Sequence, residues 1–342
     1  MEFKPDSRTL ISIGLTVLLS FSALGTSAED GTSGTLPDSI HRCEIVTAAW
    51  SPTEETPVAS PVAPDPATPV ASPVASPVAI ASPVASPVVT EEAEVADDEA
   101  ATEDEALIAD LQAASHSILD CMSDNNLETL LALTSEEFRG SWLGFDSGLS
   151  DDDFSIILPM LTNLPYALVG LEVVSAEDNT ATAIVHYTTG RQLKTGEWTF
   201  QLVSIDDQQA WQVQSETPLP TEAPEGAAKM SLIMEDGAFF IDAASYPAGD
   251  IVIDVVNLGT LPHEALIVRV PEGTEAADFA AAPSGIPDGG TFVAQVTVPT
   301  ERGGTIVLVD IRPGTYTVVD LLPDASGNPN ISNGMIATFT VE

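Results

Sequence analysis

Residues 250–257 read Asp250-Ile251-Val252-Ile253-Asp254-Val255-Val256-Asn257, and Pro262-His263-Glu264 follow shortly after. This β-branched run, bounded by turn residues, predicts a strand. Other candidate strands of similar length surround it at Met230–Met234, Ala238–Asp242, Glu264–Val270, Thr291–Val298, Thr305–Ile311, Gly314–Leu321 and Ile336–Val341. Short, evenly spaced strands with Gly and Pro turns between them predict an all-β sandwich over residues 229–342.

The preceding region has a helical period instead. Apolar or small residues recur three or four apart and predict a helix with one buried stripe: Leu107, Ile108, Leu111, Ser115, Ile118, Leu119 and Met122. A second short helix is expected over Leu127–Leu133, and a third over Asp151–Leu164, which Pro159 would kink. Strands are then expected near Tyr166–Ala176, Thr180–Thr188, Glu197–Ile205 and Ala210–Ser215. Helices followed by an antiparallel sheet predict an α+β domain.

The helix-helix-helix-then-meander order, with the phrase Leu119-Asp120-Cys121-Met122-Ser123-Asp124-Asn125-Asn126-Leu127-Glu128, resembles the nuclear transport factor 2-like cone fold over residues 107–217. That superfamily includes ketosteroid isomerases, polyketide cyclases and non-catalytic pocket domains. The resemblance implies a pocket between the helices and a curved sheet. Residues 218–228, rich in Pro, Glu and Gly, are expected to form a linker to the sandwich.

Titratable pairs in this first domain are candidates for acid–base chemistry. His116 and Asp120 are four residues apart on one helix, so their side chains can meet. We expect an ion pair at the helix border, with a catalytic dyad as the alternative. His186 and Tyr187 are adjacent on one strand and must face opposite sides, so at most one enters the pocket.

Other sequence signals of catalysis are absent. The chain contains no nucleophile elbow, phosphate-binding glycine loop, His-Glu-x-x-His helix or Cys-x-x-Cys pair. Residues 151–153, all Asp, suit a helix start better than a calcium loop. Trp198 and Trp211, on neighbouring strands, are expected in the core rather than as substrate platforms. We therefore expect a non-catalytic domain, with a small-molecule isomerase or cyclase as the alternative.

Three phrases of the second domain together resemble cupredoxins: residues 250–257 with Pro262-His263-Glu264, then Pro313-Gly314-Thr315-Tyr316, then Gly334-Met335. In that family, type 1 copper is held by two His, one Cys and usually one Met. The resemblance places His263 at the first ligand position and Met335 at the axial position. Asp320 stands where the thiolate belongs, and Asn330 where the second His belongs. A carboxylate and an amide cannot replace a thiolate and an imidazole in blue copper, so copper is not expected.

Three interpretations of His263 follow. The plainest is a turn histidine hydrogen-bonded within the loop end of the sandwich. The second is a weak nitrogen and oxygen site formed with Asp320 and Asn330, which would make the protein a carrier of copper or another divalent ion. The third is a contact with a ligand or partner.

The net charge and the N-terminal residues restrict the possible partners and the location of the protein. The 342 residues contain 10 Lys and Arg against 52 Asp and Glu, a formal net charge of −42, which excludes nucleic acid as a partner. Residues 1–28 have two basic residues, an apolar run and small residues in the order of a secretory signal. No later segment is apolar and long enough to span a membrane. We expect a secreted or extracytoplasmic protein, with a retained anchor at the cell envelope as the alternative.

The cysteines and prolines indicate how the region between the signal and the first domain is organised. Cys43 and Cys121 are the two cysteines, and an even count in an exported chain favours one disulfide, which would tie residues 29–50 to the first helix. Residues 51–106 repeat Ala-Ser-Pro-Val and then become acidic, which predicts a long disordered spacer. Taken together, the sequence predicts an exported binding protein for an unknown small molecule or protein.

Overall fold

The computed structural model describes residues 43–50 and 98–342, apart from Thr162 and Ala325. The predicted signal peptide, most of the segment 29–50 and residues 51–97 of the predicted spacer lie outside the described residues.

Four helices open the first domain: α1 Asp98–Asp124, α2 Leu127–Leu133, α3 Glu136–Trp142 and α4 Asp151–Ile157. The expected start at Leu107 is wrong, because α1 already includes residues 98–106, which were predicted to be spacer. The predicted third helix is shorter than expected. Pro159 converts its end into a 3-10 turn, Leu158–Met160, so the helix does not reach Leu164.

The predicted stripe of α1 is buried with one exception. Leu111 and Ile118 are fully buried and Leu119 is nearly so, but Ile108 is 37% exposed, so its predicted place in the core is wrong. The stripe packs against an antiparallel meander of β1 Tyr166–Glu177, β2 Thr180–Thr189, β3 Gln192–Ile205 and β4 Gln208–Leu219. Trp198 and Trp211 lie in this core, as predicted.

The disulfide between Cys43 and Cys121 is confirmed. It fixes residues 43–50 on α1, where Asp110 accepts hydrogen bonds from the backbone N–H groups of Ala49 and Trp50, both at 2.7 Å. Trp50 also packs on Trp211 with ring centroids 5.6 Å apart. Residues 43–50 are therefore packed onto the first domain.

The second domain is a β sandwich of nine strands within the described residues: β5 Ala228–Glu235, β6 Ala238–Ile241, β7 Ser245–Tyr246, β8 Gly249–Asn257, β9 His263–Val270, β10 Thr291–Val298, β11 Gly303–Ile311, β12 Gly314–Val319 and β13 Ile336–Val341. One sheet has the order β11-β8-β5-β6 and the other β10-β9-β12-β13-β7. The pairs β5–β8 and β7–β13 are parallel and the others antiparallel. This mixed sandwich is consistent with the expected cupredoxin-like fold, and a short helix, α5 Ala276–Ala281, follows β9.

The two domains share a sheet. Leu193 and Gln192 at the start of β3 pair with Val307 and Leu308 of β11. The backbone of Arg191 adds hydrogen bonds to Val293 (2.8 Å) and from Val309 (2.9 Å). Hydrogen bonds between paired strands are directional, so these bonds align the two domains where β3 meets β11.

Candidate functional site

The predicted metal-ligand positions meet at one end of the sandwich. His263 is the first residue of β9 and Asp320 directly follows β12, so neighbouring paired strands bring them together. Nδ1 of His263 lies 2.7 Å from Oδ2 of Asp320, and both side chains are almost fully buried. Asn330 donates from Nδ2 to the same oxygen at 2.9 Å. Met335 is fully buried, and its carbonyl accepts from the N–H of Asp320.

The second nitrogen of His263 has its own partner, which the sequence did not indicate. Nε2 lies 3.0 Å from Oδ1 of Asp236, a residue of the β5–β6 turn. Asp236 also accepts from the N–H and the hydroxyl of Thr260. These hydrogen bonds from Thr260 and His263 lower the pKa of Asp236 to about 2. We call His263, Asp236, Asp320 and Asn330 the histidine cluster.

Burial and hydrogen bonding act in opposite directions on Asp320. Its loss of hydration raises the pKa, while the hydrogen bond with His263 opposes the rise. Oδ1 of Asp320 accepts from the N–H of Leu322 at 2.8 Å, so both carboxyl oxygens have donors. The cluster is therefore an internally satisfied polar network, which is how a buried polar group avoids a desolvation penalty.

The donor set does not fit type 1 copper. Each ring nitrogen of His263 already faces a carboxylate oxygen, and the amide nitrogen of Asn330 points at Asp320 as a donor. No thiolate is present, because both cysteines are in the disulfide of the first domain. Among residues 43–50 and 98–342 as described, no group of three or more His, Cys, Asp and Glu side chains is arranged to hold a metal ion.

A second buried carboxyl neighbours the cluster. Glu264 is 1% exposed and accepts a hydrogen bond from Nε2 of Gln295 on β10. Burial raises the pKa of Glu264 to about 7, and the nearby charge of Asp320 contributes in the same direction. No sequence pattern points to this group, because a Glu at a strand start is ordinarily solvated.

A cavity of about 270 Å³ with aromatic, apolar and polar walls is lined mainly by the first domain. Trp142 of α3 donates from Nε1 to the hydroxyl of Tyr166 at 3.1 Å. The hydroxyl of Tyr187, another residue of the wall, donates to Oε1 of Glu216 at 2.8 Å. Lys194 lines the same cavity, and the second domain contributes Thr305 to the wall. The cavity therefore lies at the junction of the domains.

Burial controls the titration of the cavity groups. It raises the pKa of Glu216, opposed by the hydrogen bond from Tyr187, and it lowers the pKa of Lys194, opposed by the charge of Glu216. The pKa of Tyr166 rises to about 12 for the same reason. Perturbed groups that converge in a cavity mark a candidate binding or catalytic site.

Of the predicted acid–base candidates, Tyr187 lines the cavity, whereas His116, Asp120 and His186 do not. His116 is exposed and Asp120 partly buried on α1, and neither lines the cavity. Nδ1 of His186 is 3.1 Å from the hydroxyl oxygen of Thr195, whereas Tyr187 on the opposite face reaches the cavity. Sequence reasoning missed Glu216, Lys194 and Tyr166, which are far apart in sequence.

Three solved auracyanin structures are similar to part of the chain. The reduced auracyanin of the photosynthetic bacterium Roseiflexus castenholzii is 22% identical over 34% of this chain and 99% of that chain, with a TM-score of 0.27. Auracyanin B is 22% identical over 36% of this chain and 94% of that chain, with the same TM-score. Auracyanin A of Chloroflexus aurantiacus, a blue copper protein, is 18% identical over 34% of this chain and 100% of that chain, also with a TM-score of 0.27. The strand order of the second domain defines it as a β sandwich independently of these similarities.

No family model matches the chain, and no curated protein matches its sequence. Within the described residues, none of the helices has the length and apolar character required to cross a membrane.

Proposed function

We propose that this is an exported, non-catalytic binding protein that holds a small molecule in the cavity of its first domain. The observation that carries the proposal is the cavity itself, where Tyr166, Lys194 and Glu216 present polar groups beside the indole of Trp142. Ligand sites typically combine apolar walls with a few placed polar groups. A volume of about 270 Å³ is just below the usual range for drug-sized ligands, which favours a small one.

The arrangement around the cavity supports a nuclear transport factor 2-like assignment for the first domain. Helix α1 packs on the sheet through β1 and β4, and the cavity is lined by α3 and by all four strands. A pocket between helices and a curved sheet is what that resemblance implies. The fold alone names no ligand, because one fold can host unrelated functions.

The histidine cluster supports a cupredoxin-like second domain that does not use copper. His263, Asp320, Asn330 and Met335 come together at one end of the sandwich, as the resemblance implies for ligand positions. A metal carrier is the weaker alternative, since any ion bound by His263 would have to displace Asp236 or Asp320 from a ring nitrogen. We therefore propose a structural role for His263.

Export is supported by the disulfide. Cystine bonds persist mainly in oxidising compartments, and the bond between Cys43 and Cys121 closes a long loop of the first domain. Together with the signal-like residues 1–28, it favours a secreted or extracytoplasmic location.

The experiment that tests the binding role is a fragment screen on the mature protein by ligand-observed NMR. Thr221 lines the cavity from the linker, whereas its neighbour Glu222 is exposed. We expect fragments that bind the wild type to be lost in Thr221→Trp, which fills the cavity, and to be retained in Glu222→Trp. Binding that persists in a folded Thr221→Trp variant, or a screen with no binders, would contradict the proposal.

One observation favours a second candidate, an isomerase or cyclase in the same cavity. Glu216 is partly buried, has a raised pKa and is hydrogen-bonded to Tyr187, which gives it the character of a general base. Glu216→Gln keeps the size and one acceptor oxygen. Turnover of a bound fragment that disappears in this variant while binding remains would favour the enzyme over the binding protein.

A further inference from the structure

Three arginines line one cavity at the junction of the domains, which shares no lining residue with the cavity discussed above. Arg191 lies in the β2–β3 turn, Arg269 lies on β9, and Arg312 lies in the β11–β12 turn. The cavity has a volume of about 340 Å³.

This concentration of positive charge is unusual for the chain. The whole sequence has 10 Lys and Arg against 52 Asp and Glu, and three of those ten line this one cavity. Asp310 is the single acidic residue among the described lining residues, so the local formal charge is 3 − 1 = +2. A long-range negative field is screened beyond about 8–10 Å at physiological salt, so these nearby guanidinium groups dominate the cavity.

The ion pairs within the cavity leave arginine donors available. Arg191 contacts Asp310 at 3.0 Å, and Arg312 is 3.9 Å from the same carboxylate. Arg269 has no carboxylate partner within the described residues, and one of its amino groups donates to the carbonyl of Pro313 at 2.9 Å. A guanidinium has five N–H donors in a fixed fork, so each arginine retains donors for a further acceptor.

Two features hold this arrangement in place. Arg269 lies across Gly314, where a Cβ atom would come within 2.7 Å of its Nε. Tyr316 lies in the same wall, with its hydroxyl donating to the carbonyl of Arg312 at 2.6 Å. The positive charges of all three arginines oppose the rise that burial causes in the pKa of Tyr316. Phe292 supplies an apolar surface beside these charges.

We propose that the cavity formed by Arg191, Arg269 and Arg312 binds a small organic dianion, of the phosphate-ester class, with its apolar part against Phe292. Two negative charges match the local charge of +2, and guanidinium groups recognise tetrahedral oxyanions through paired hydrogen bonds. The cavity is larger than a free oxyanion requires, which favours an ester over the inorganic ion. The proposal is independent of the binding site in the first domain.

The probe is phenyl phosphate, titrated calorimetrically into the mature full chain at constant ionic strength, with inorganic phosphate and benzoate as comparisons. We expect saturable binding of phenyl phosphate that is tighter than that of either comparison ligand. Arg269→Gln and Arg312→Gln should each weaken it at least tenfold. Arg302→Gln removes an arginine that does not line the cavity and should change the Kd less than twofold.

Three results would overturn the proposal. They are absence of saturable binding, benzoate binding as tightly as phenyl phosphate, and an equal loss of affinity in Arg302→Gln, which would indicate a general charge effect. Circular dichroism confirms that each variant is folded. Arg312 is 67% exposed, so its substitution tests the site even if Arg269→Gln disturbs β9.

Discussion

Gly190 lies so close to Phe292 that a Cβ atom on Gly190 would meet ring carbon Cδ1 at 2.6 Å. It would also come within 2.6 Å of the carbonyl oxygen of Val293, which accepts the hydrogen bond from Arg191. The φ of Gly190 is +64°, in the left-handed region that glycine adopts without strain. A bare glycine at this turn therefore permits the first domain to approach the second.

The variant Gly190→Ala should separate or distort the junction. Its control is Gly144→Ala, because Gly144 has φ +78° but no heavy atom within 4 Å of the place that a Cβ atom would occupy. Both variants carry the cost of a positive φ, so their difference isolates the overlap with Phe292. We expect Gly190→Ala to lose about 1–3 kcal/mol more than the control, in the range of overpacking. Urea unfolding followed by circular dichroism measures this, and equal midpoints for the two variants would contradict it.

Removal of the disulfide should destabilise the first domain. In the chain-entropy model a loop of 78 residues contributes about 4 kcal/mol. All four tryptophans, Trp50, Trp142, Trp198 and Trp211, lie in that domain, so their fluorescence reports its unfolding. We expect Cys43→Ala with Cys121→Ala to lower its free energy of unfolding by several kcal/mol. A reducing agent should lower wild-type stability similarly and leave the double variant unchanged; a wild type insensitive to reduction would refute the stabilising role.

Much of this architecture could be predicted from local patterns, because strands and amphipathic helices have periods that a sequence displays. The strand Thr291–Val298 was predicted to the residue. Helix α3 was missed although Ser135 caps it and two acids open its first turn, which is a recognisable start signal. The extension of β3 to Gln192 could not be predicted, because it depends on pairing with β11 in the other domain.

The candidate sites divide in the same way. The histidine cluster could be predicted in part, because a family resemblance placed His263, Asp320 and Asn330 together. Asp236 could not be predicted, because it lies in the β5–β6 turn, 27 residues before His263, and only the tertiary fold brings the two side chains into contact. The cavity of Tyr166, Lys194 and Glu216 could not be predicted from local sequence, since nothing in the sequence around each residue distinguishes it from other strand residues. Their proximity and burial arise only from the tertiary fold, and the pKa shifts arise from that burial.

Glu264 should make stability depend on pH. Its pKa is raised from 4.5 to about 7, so the folded state binds more protons than the unfolded state between these values. The contribution of Glu264 to the free energy of unfolding should therefore be largest below about pH 4.5 and fall as pH rises toward 7, by on the order of 3 kcal/mol.

The variant Glu264→Gln separates this effect from the general relief of charge repulsion on acidification, because it retains an oxygen that can accept from Gln295. Urea unfolding at pH 5, 6 and 7 should show a shallower loss of stability in the variant than in the wild type. As a control, Glu301→Gln removes an exposed carboxylate and should leave the slope unchanged. Parallel slopes for the wild type and Glu264→Gln would show that this group does not titrate as described.

The correspondence between the histidine cluster and a copper site can be tested by restoring the missing donors. Asp320→Cys with Asn330→His would supply a thiolate and a second imidazole beside His263, whose Nδ1 already faces position 320 at 2.7 Å. Because soft sulfur and imidazole select copper, we expect added Cu(II) to give the intense blue absorption of a copper thiolate in this variant and none in the wild type. Asp324→Cys with Asn330→His is the control, since Asp324 lies on the exposed loop and its thiolate would not face His263. If a folded Asp320→Cys, Asn330→His variant binds copper no differently from this control, the cupredoxin-like assignment of these positions is wrong.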